Sequence, residues 1–163
     1  MTAEIHLPTK SLYEEDFNLW LSATAEQLRA GRFDEIDLEN LIEEIQSMGR
    51  SDRRFLESYL ENIIEHLLRL AYWDSERERN RNHWIHEIVT FRNSLAKILK
   101  DSPSLLPYLE ENFLPIYAST AKKVKKSFKL DVPLQSPFTI EEVIDPDWFP
   151  IDIENDNQSS LES

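Results

Sequence analysis

Two glycines, Gly31 and Gly49, serve the whole of a 163-residue chain. Hairpins and tight turns draw on glycine for positive φ angles, so a chain this poor in it is steered away from sheets and toward helices. Leu and Glu are the commonest residues of the remainder, and both suit helices. With 40% hydrophobic residues the length is enough for one domain with one core.

Helical spacing recurs along the chain. Ser11-Leu12-Tyr13-Glu14 reads as a capping box, followed by Phe17, Trp20, Leu21 and Leu28 at helical intervals and by Gly31 as a stop. Asp37 is a candidate N-cap, and Leu38, Leu41, Ile42, Ile45 and Met48 form one apolar stripe after it. Gly49-Arg50-Ser51-Asp52 is ambiguous, because it can end a helix or be tolerated inside one long rod. Leu56, Leu60, Ile63, Leu67 and Leu70 make the next core face.

The polar stretch 75–82 is expected to be a linker, with Asn82 capping a helix that buries Trp84, Ile88, Phe91, Leu95 and Leu99. Asp101-Ser102-Pro103 opens a further helix, with Pro103 at its first position and Leu109, Tyr117 and Val124 on its core face. Pro115 should kink that helix. Thr139 to Glu142 can cap a short helix, and Trp148-Phe149-Pro150 is expected to fold back onto the rest. The expected architecture is therefore all-α. It is a single-domain bundle of about five helices over residues 1–150 with a short C-terminal extension, and a disordered acidic tail over 151–163.

A formal net charge of −13 opposes general binding to nucleic acid or anionic membranes, both of which need a basic surface. The stretch from Lys122 to Lys129 is locally basic and leaves room for a small anionic partner. The absence of cysteine removes disulfides, thiolate zinc sites and thiol chemistry together, and fits a reducing cytosol. The N-terminal ten residues lack the apolar core of a signal peptide, and no run is long enough to span a bilayer, so a cytoplasmic location is expected.

Several blocks resemble a known bacterial family. They are Tyr13 with Asp16 to Trp20, Arg32-Phe33-Asp34 to Asp37, Asn40-Leu41-Ile42-Glu43-Glu44-Ile45 with Met48-Gly49, and His66-Leu67-Leu68-Arg69. Trp84 with Ile88 and Arg92, Pro103-Ser104-Leu105, Tyr117, and Pro137-Phe138-Thr139 to Pro150 continue the pattern. Together, from about Leu12 to Pro150, these resemble domain of unknown function 29, a family abundant in cyanobacteria. The resemblance implies an all-helical bundle of similar length and no particular activity.

Two constellations bear chemistry. Asp37, Asn40, Glu43 and Glu44 stand on one helix and His66 on the next helical run, where it should border the core. If the chain reverses at Gly49, Asp37 lies roughly 18 Å back from the turn and His66 roughly 24 Å beyond it, so Asp37, Asn40, Glu44 and His66 could meet around a divalent metal or move a proton. If the two runs are one rod, Glu44 and His66 are roughly 33 Å apart and share nothing. Without a metal, Asp37 caps its helix, Glu43 and Glu44 bond neighbouring arginine or amide groups, and His66 is hydrogen-bonded in the core.

The second constellation is Arg81 and His86, five residues apart, which resembles the short motif of the HEPN ribonucleases. That resemblance implies an arginine that stabilises charge and a histidine that moves protons on a phosphodiester. His83 and His86 also have a spacing open to two metal ligands on one face.

Two functional classes follow. The first is a non-enzymatic helical protein that self-associates or docks a protein partner, without a cofactor. The second is a metal-dependent hydrolase or nuclease built on the Asp37/Asn40/Glu43/Glu44/His66 group, with Arg81 and His86 as a separate catalytic pair.

Overall fold

The computed structural model of the protein describes residues 11–151, and every regular element among them is a helix. The N-terminal ten residues and, beyond Ile151, the expected acidic tail lie outside the described residues.

Side chains satisfy the orphan amides at the start of some of these helices and leave others uncapped. α1 (Leu12–Glu15) is a single turn, and Ser11 at its N-cap makes no side-chain capping bond, contrary to the capping box expected there. Asp16 takes over: its extended backbone interrupts the run, and its carboxylate accepts from the Leu19 N–H at 2.9 Å to begin α2 (Phe17–Arg29). Gly31 ends α2 as expected. Its φ of 69° is the left-handed conformation that a Cβ disfavours, and the Arg32 N–H reaches back to the Gln27 carbonyl at 2.9 Å.

After a 3₁₀ turn over Phe33–Glu35, Asp37 starts α3 (Leu38–Tyr72) by accepting from the Asn40 N–H at 3.3 Å. α3 runs through Gly49 without a break, so the rod and not the hairpin is formed. A glycine inside a helix costs only about 1 kcal/mol, which a helix of 35 residues absorbs.

α4 (Asp74–Asp101) follows after Trp73 alone. The stretch expected as a linker is helical, because its glutamates and arginines are good helix formers whose polarity serves a solvent-facing first two turns. Arg77 closes the junction: Nε and one terminal nitrogen donate to the Leu70 and Ala71 carbonyls at 2.6 and 2.8 Å, satisfying orphan acceptors at the end of α3. Pro103 opens a 3₁₀ turn (Pro103–Leu105) that leads into α5 (Leu106–Phe128), which continues through Pro115 and ends on Lys129 at φ 54°. α6 (Ile140–Ile144) carries the expected capping box between Thr139 and Glu142.

The chain divides into two compact units, one ending at Arg50 and one beginning at Ser51. The second holds the hydrophobic core. Leu56, Leu60, Ile63, Leu67 and Leu70 of α3 are fully buried, with Trp84, Ile88 and Leu95 of α4 and Leu109, Tyr117 and Val124 of α5. Each such side chain contributes about 1.5–3 kcal/mol of transfer free energy. Six successive residues of α3, Ile63 to Leu68, are buried, so neighbours enclose the helix on all sides there.

The C-terminal segment folds onto this unit through Arg92, as the placement of Trp148 and Phe149 had suggested. The buried guanidinium donates to the carbonyls of Val143 (2.8 Å), Trp148 (2.8 Å) and Glu142 (3.1 Å) and lies over the Phe149 ring. Burial lowers its pKa to about 10, opposed by the charges of Asp145 and Asp147.

The first unit is built differently. Trp20 and Thr24 are its buried residues among those described, and Trp20 is packed by Tyr13 and Phe17 at ring separations of 4.9 and 5.7 Å. Phe17, Leu21 and Leu28, at helical spacing with Trp20, are exposed.

Candidate functional site

The acidic start of α3 is organised by local hydrogen bonds. Asp37 uses both oxygens on Asn40, accepting from its backbone N–H and, at 2.7 Å, from its side-chain amide. Glu44, two turns on, accepts the Tyr13 hydroxyl of α1. That hydrogen bond, followed by partial desolvation and the charges of Glu44, Glu43 and Asp37, raises the Tyr13 pKa. Glu43 points the other way and pairs with Arg50 in solvent. Asp37 also lines a cleft of about 180 Å³ with Leu12, Trp20, Thr24 and Gln27, closed at one side where the Gln27 amide donates to the Glu35 carbonyl at 3.2 Å.

His66 belongs to the second unit. Its ring is buried, with the Phe91 ring centroid 6.1 Å away. Nδ1 lies 2.7 Å from the Asn62 carbonyl, which can only accept, so Nδ1 carries the proton. Burial holds its pKa below the usual histidine value, against the opposing effect of the Asn62 bond. On the neighbouring position Glu65, itself buried, pairs with Arg69 and with Lys123 of α5.

The inter-helix cluster of Asp37, Asn40, Glu44 and His66 is therefore not assembled. Glu44 and His66 lie on one continuous helix, 22 residues and roughly 33 Å apart along its axis. Among the described residues no three histidine, aspartate or glutamate side chains gather closely enough to hold a metal ion. The expectations that survive are local: Asp37 is a cap, Glu43 bonds an arginine, and His66 is hydrogen-bonded in the core, while Glu44 takes a tyrosine hydroxyl in place of the expected arginine or amide.

Arg81 and His86 both stand on α4, where five residues separate them by about 140° around the axis. His86 and His83 are exposed, while Arg81 is half-buried and engaged in an interaction of its own. The basic stretch at the end of α5 is partly consumed by Glu65 on Lys123 and by Asp131 and the Val132 carbonyl, both 3.3 Å from Lys125. Cations at that end also complement the helix dipole.

Two functional features escaped the residue pattern. Arg92 was given no role, although a charge at the fourth position after Ile88 and the third before Leu95 interrupts a core stripe and signals a buried partner. The other lies in the first unit. α3 turns Asp37, Asn40 and Glu44 inward, half-buried, and leaves its apolar residues facing out: Leu38, Ile42, Ile45 and Met48 are 61, 47, 58 and 64% exposed. A helix normally buries its apolar stripe and solvates its acids. Here four apolar residues share the solvent side with Glu39 and Glu43, while Asp37, Asn40 and Glu44 are half-buried beside Leu41.

No helix among the described residues is long and apolar enough to cross a membrane. A crystal structure of an alpha-helical protein of unknown function from Rhodospirillum rubrum is similar to this chain, with a TM-score of 0.56 and 23% identity over 83% of this chain and 90% of that one. The likeness shows the fold alone. No curated protein matches the chain. The family described as domain of unknown function DUF29 matches residues 12–149, nearly all of the helical sequence on which the resemblance rested. The chain belongs to the DUF29 family.

Proposed function

We propose that this is a non-enzymatic, cytoplasmic interaction protein that works by seating an apolar partner surface on the first half of α3. One observation carries the reading: the exposed row of Leu38, Ile42, Ile45 and Met48 beside an inward acidic row. Contiguous exposed apolar residues on a water-soluble helix cost solvation and favour a cover, which is why such patches mark association sites. The carboxylates support the same reading, because their bonds to Asn40, Tyr13 and Arg50 occupy them, and the Tyr13 bond ties α3 to α1.

Metal-dependent hydrolysis draws less support, since its candidate ligands lie on separate turns of one rod.

Sedimentation of the tagged protein in extract of the cells that make it tests the proposal, with Ile45→Glu as control. A complex heavier than the chain, lost in a variant that keeps its helicity, is the expected result. Identical single-chain sedimentation of both proteins would overturn it.

A further inference from the structure

Resting on that reading, we infer that the occupant of the α3 row is the same row of a second copy, the two helices antiparallel about a two-fold axis between Glu43 and Glu44. Leu38, Ile42, Ile45 and Gly49 follow at intervals of four, three and four, the seam spacing of paired helices. Reversing a second helix about this axis interleaves the two rows. Ile42 meets the partner's Ile45, and Leu38 falls over the partner's Gly49.

Gly49 has the form such a seam needs. A Cβ built on it would meet nothing within 4 Å, so it is an open notch on the helix surface, able to receive a leucine from outside. On the half-buried edge of the seam, Leu41 faces the partner's Met48, extending the apolar contact.

Charge decides between the two directions. Glu39 lies at the start of the row and Arg50 at its end, and both are exposed. A parallel pair would set each flank of the seam against the opposite flank, so Glu39 and Arg50 would face Leu41 and Met48 and gain no partner charge. The antiparallel pair sets each Glu39 against the partner's Arg50 on both sides of the axis, so the surface is complementary to itself, as a two-fold interface requires. Arg50 is free to make the exchange, because its bond to Glu43 is an exposed ion pair of small value. A seam of about three turns is smaller than a standard interface of roughly 800 Å² per partner, so the pair is expected to be weak and reversible.

The test is sedimentation equilibrium of the purified full chain across a concentration series, with circular dichroism on every variant. The expected result is a reversible dimer of the 19.3 kDa chain. Ile45→Glu, Glu39→Arg and Arg50→Glu should each weaken it by about tenfold or more. The double variant Glu39→Arg/Arg50→Glu, which restores complementarity only if the helices are antiparallel, should recover it. Gly49→Ala fills the notch, and should raise the melting temperature of the single chain while weakening the dimer.

A chain that stays monomeric to hundreds of micromolar would overturn the inference, as would a dimer indifferent to Ile45→Glu or a double variant no better than its parents. A monomer in pure form that sediments in a complex in extract, with loss on Ile45→Glu, would overturn the second copy and leave the interaction reading standing. A monomer in both settings would remove both.

Discussion

Lys123 of α5 places its ammonium 2.9 Å from one carboxylate oxygen of Glu65 on α3, while the other oxygen pairs with Arg69. Glu65 is buried, and the Arg69 guanidinium is spread over the Phe128 ring 4.0 Å away. The pair is therefore asymmetric in what its loss would do. Glu65→Gln leaves Arg69 largely desolvated without its counter-charge and should cost about 1–3 kcal/mol in urea unfolding. Lys123→Met removes an exposed partner and should cost no more than about 0.5 kcal/mol.

Arg92→Lys should destabilise the protein nearly as much as Arg92→Met, by about 2–4 kcal/mol. A lysine carries the charge but cannot present the planar fork that reaches three carbonyls on the C-terminal segment. Thermal unfolding gives the magnitude. Hydrogen exchange should locate the damage, with protection lost first in α6 (Ile140–Ile144).

His66 makes stability depend on pH in one direction. The folded state holds the ring neutral with a pKa lowered by burial, while the unfolded chain protonates near the ordinary value of about 6.5. The native state thus binds fewer protons. Its advantage is complete above that pH and is lost progressively as the pH falls from there toward the lower folded value. Urea midpoints between pH 7 and pH 5 should fall, and His66→Gln should flatten the slope. His66→Ala should cost about 1–3 kcal/mol at neutral pH through the lost packing of the ring and the loss of its bond to the Asn62 carbonyl. A silent His66→Ala would remove the core role altogether.

The two left-handed residues should respond oppositely to substitution. Gly31→Ala forces a Cβ into φ 69° and should cost about 1–2 kcal/mol. Lys129→Gly relieves the same penalty at φ 54° and should gain a fraction of that, up to about 1 kcal/mol. Differential scanning calorimetry of both variants would settle the pair.

Divalent metals should leave the melting temperature of EDTA-stripped protein unchanged, because the carboxylates of the acidic turn are spread over separate turns and already bonded. A saturable rise with zinc, manganese or magnesium, abolished by Glu44→Gln, would reinstate the metal reading.

Periodicity told the truth about type and misled about surroundings. Leu56 to Leu70 read as a core face and are one, because a stripe of that spacing in the middle of a long helix meets partners on every side. Leu38, Ile42, Ile45 and Met48 have the same spacing and are exposed, with only Leu41 of their stripe half-buried, since periodicity reports that a face is apolar and not what lies against it. Gly49 could not be resolved from its neighbours, because the cost of a helical glycine is small beside what the following core residues return to α3. The stretch at 75–82 was misjudged by polarity, when its individual residues favour helix. The site suffered most from the Gly49 ambiguity: one backbone decision determined whether Glu44 and His66 could meet.

Arg92 also sets a timetable. Its acceptors lie 50 to 56 residues further along the chain. At a synthesis rate of about 5–20 residues per second, α4 emerges roughly 3 to 10 s before the carbonyls that its guanidinium requires. During that interval α4 carries a cation whose place in the core is not yet built. The second unit is therefore completed from its distal end, and a ribosome that stalls before Trp148 leaves a nascent chain with its helices formed and its closing clasp missing.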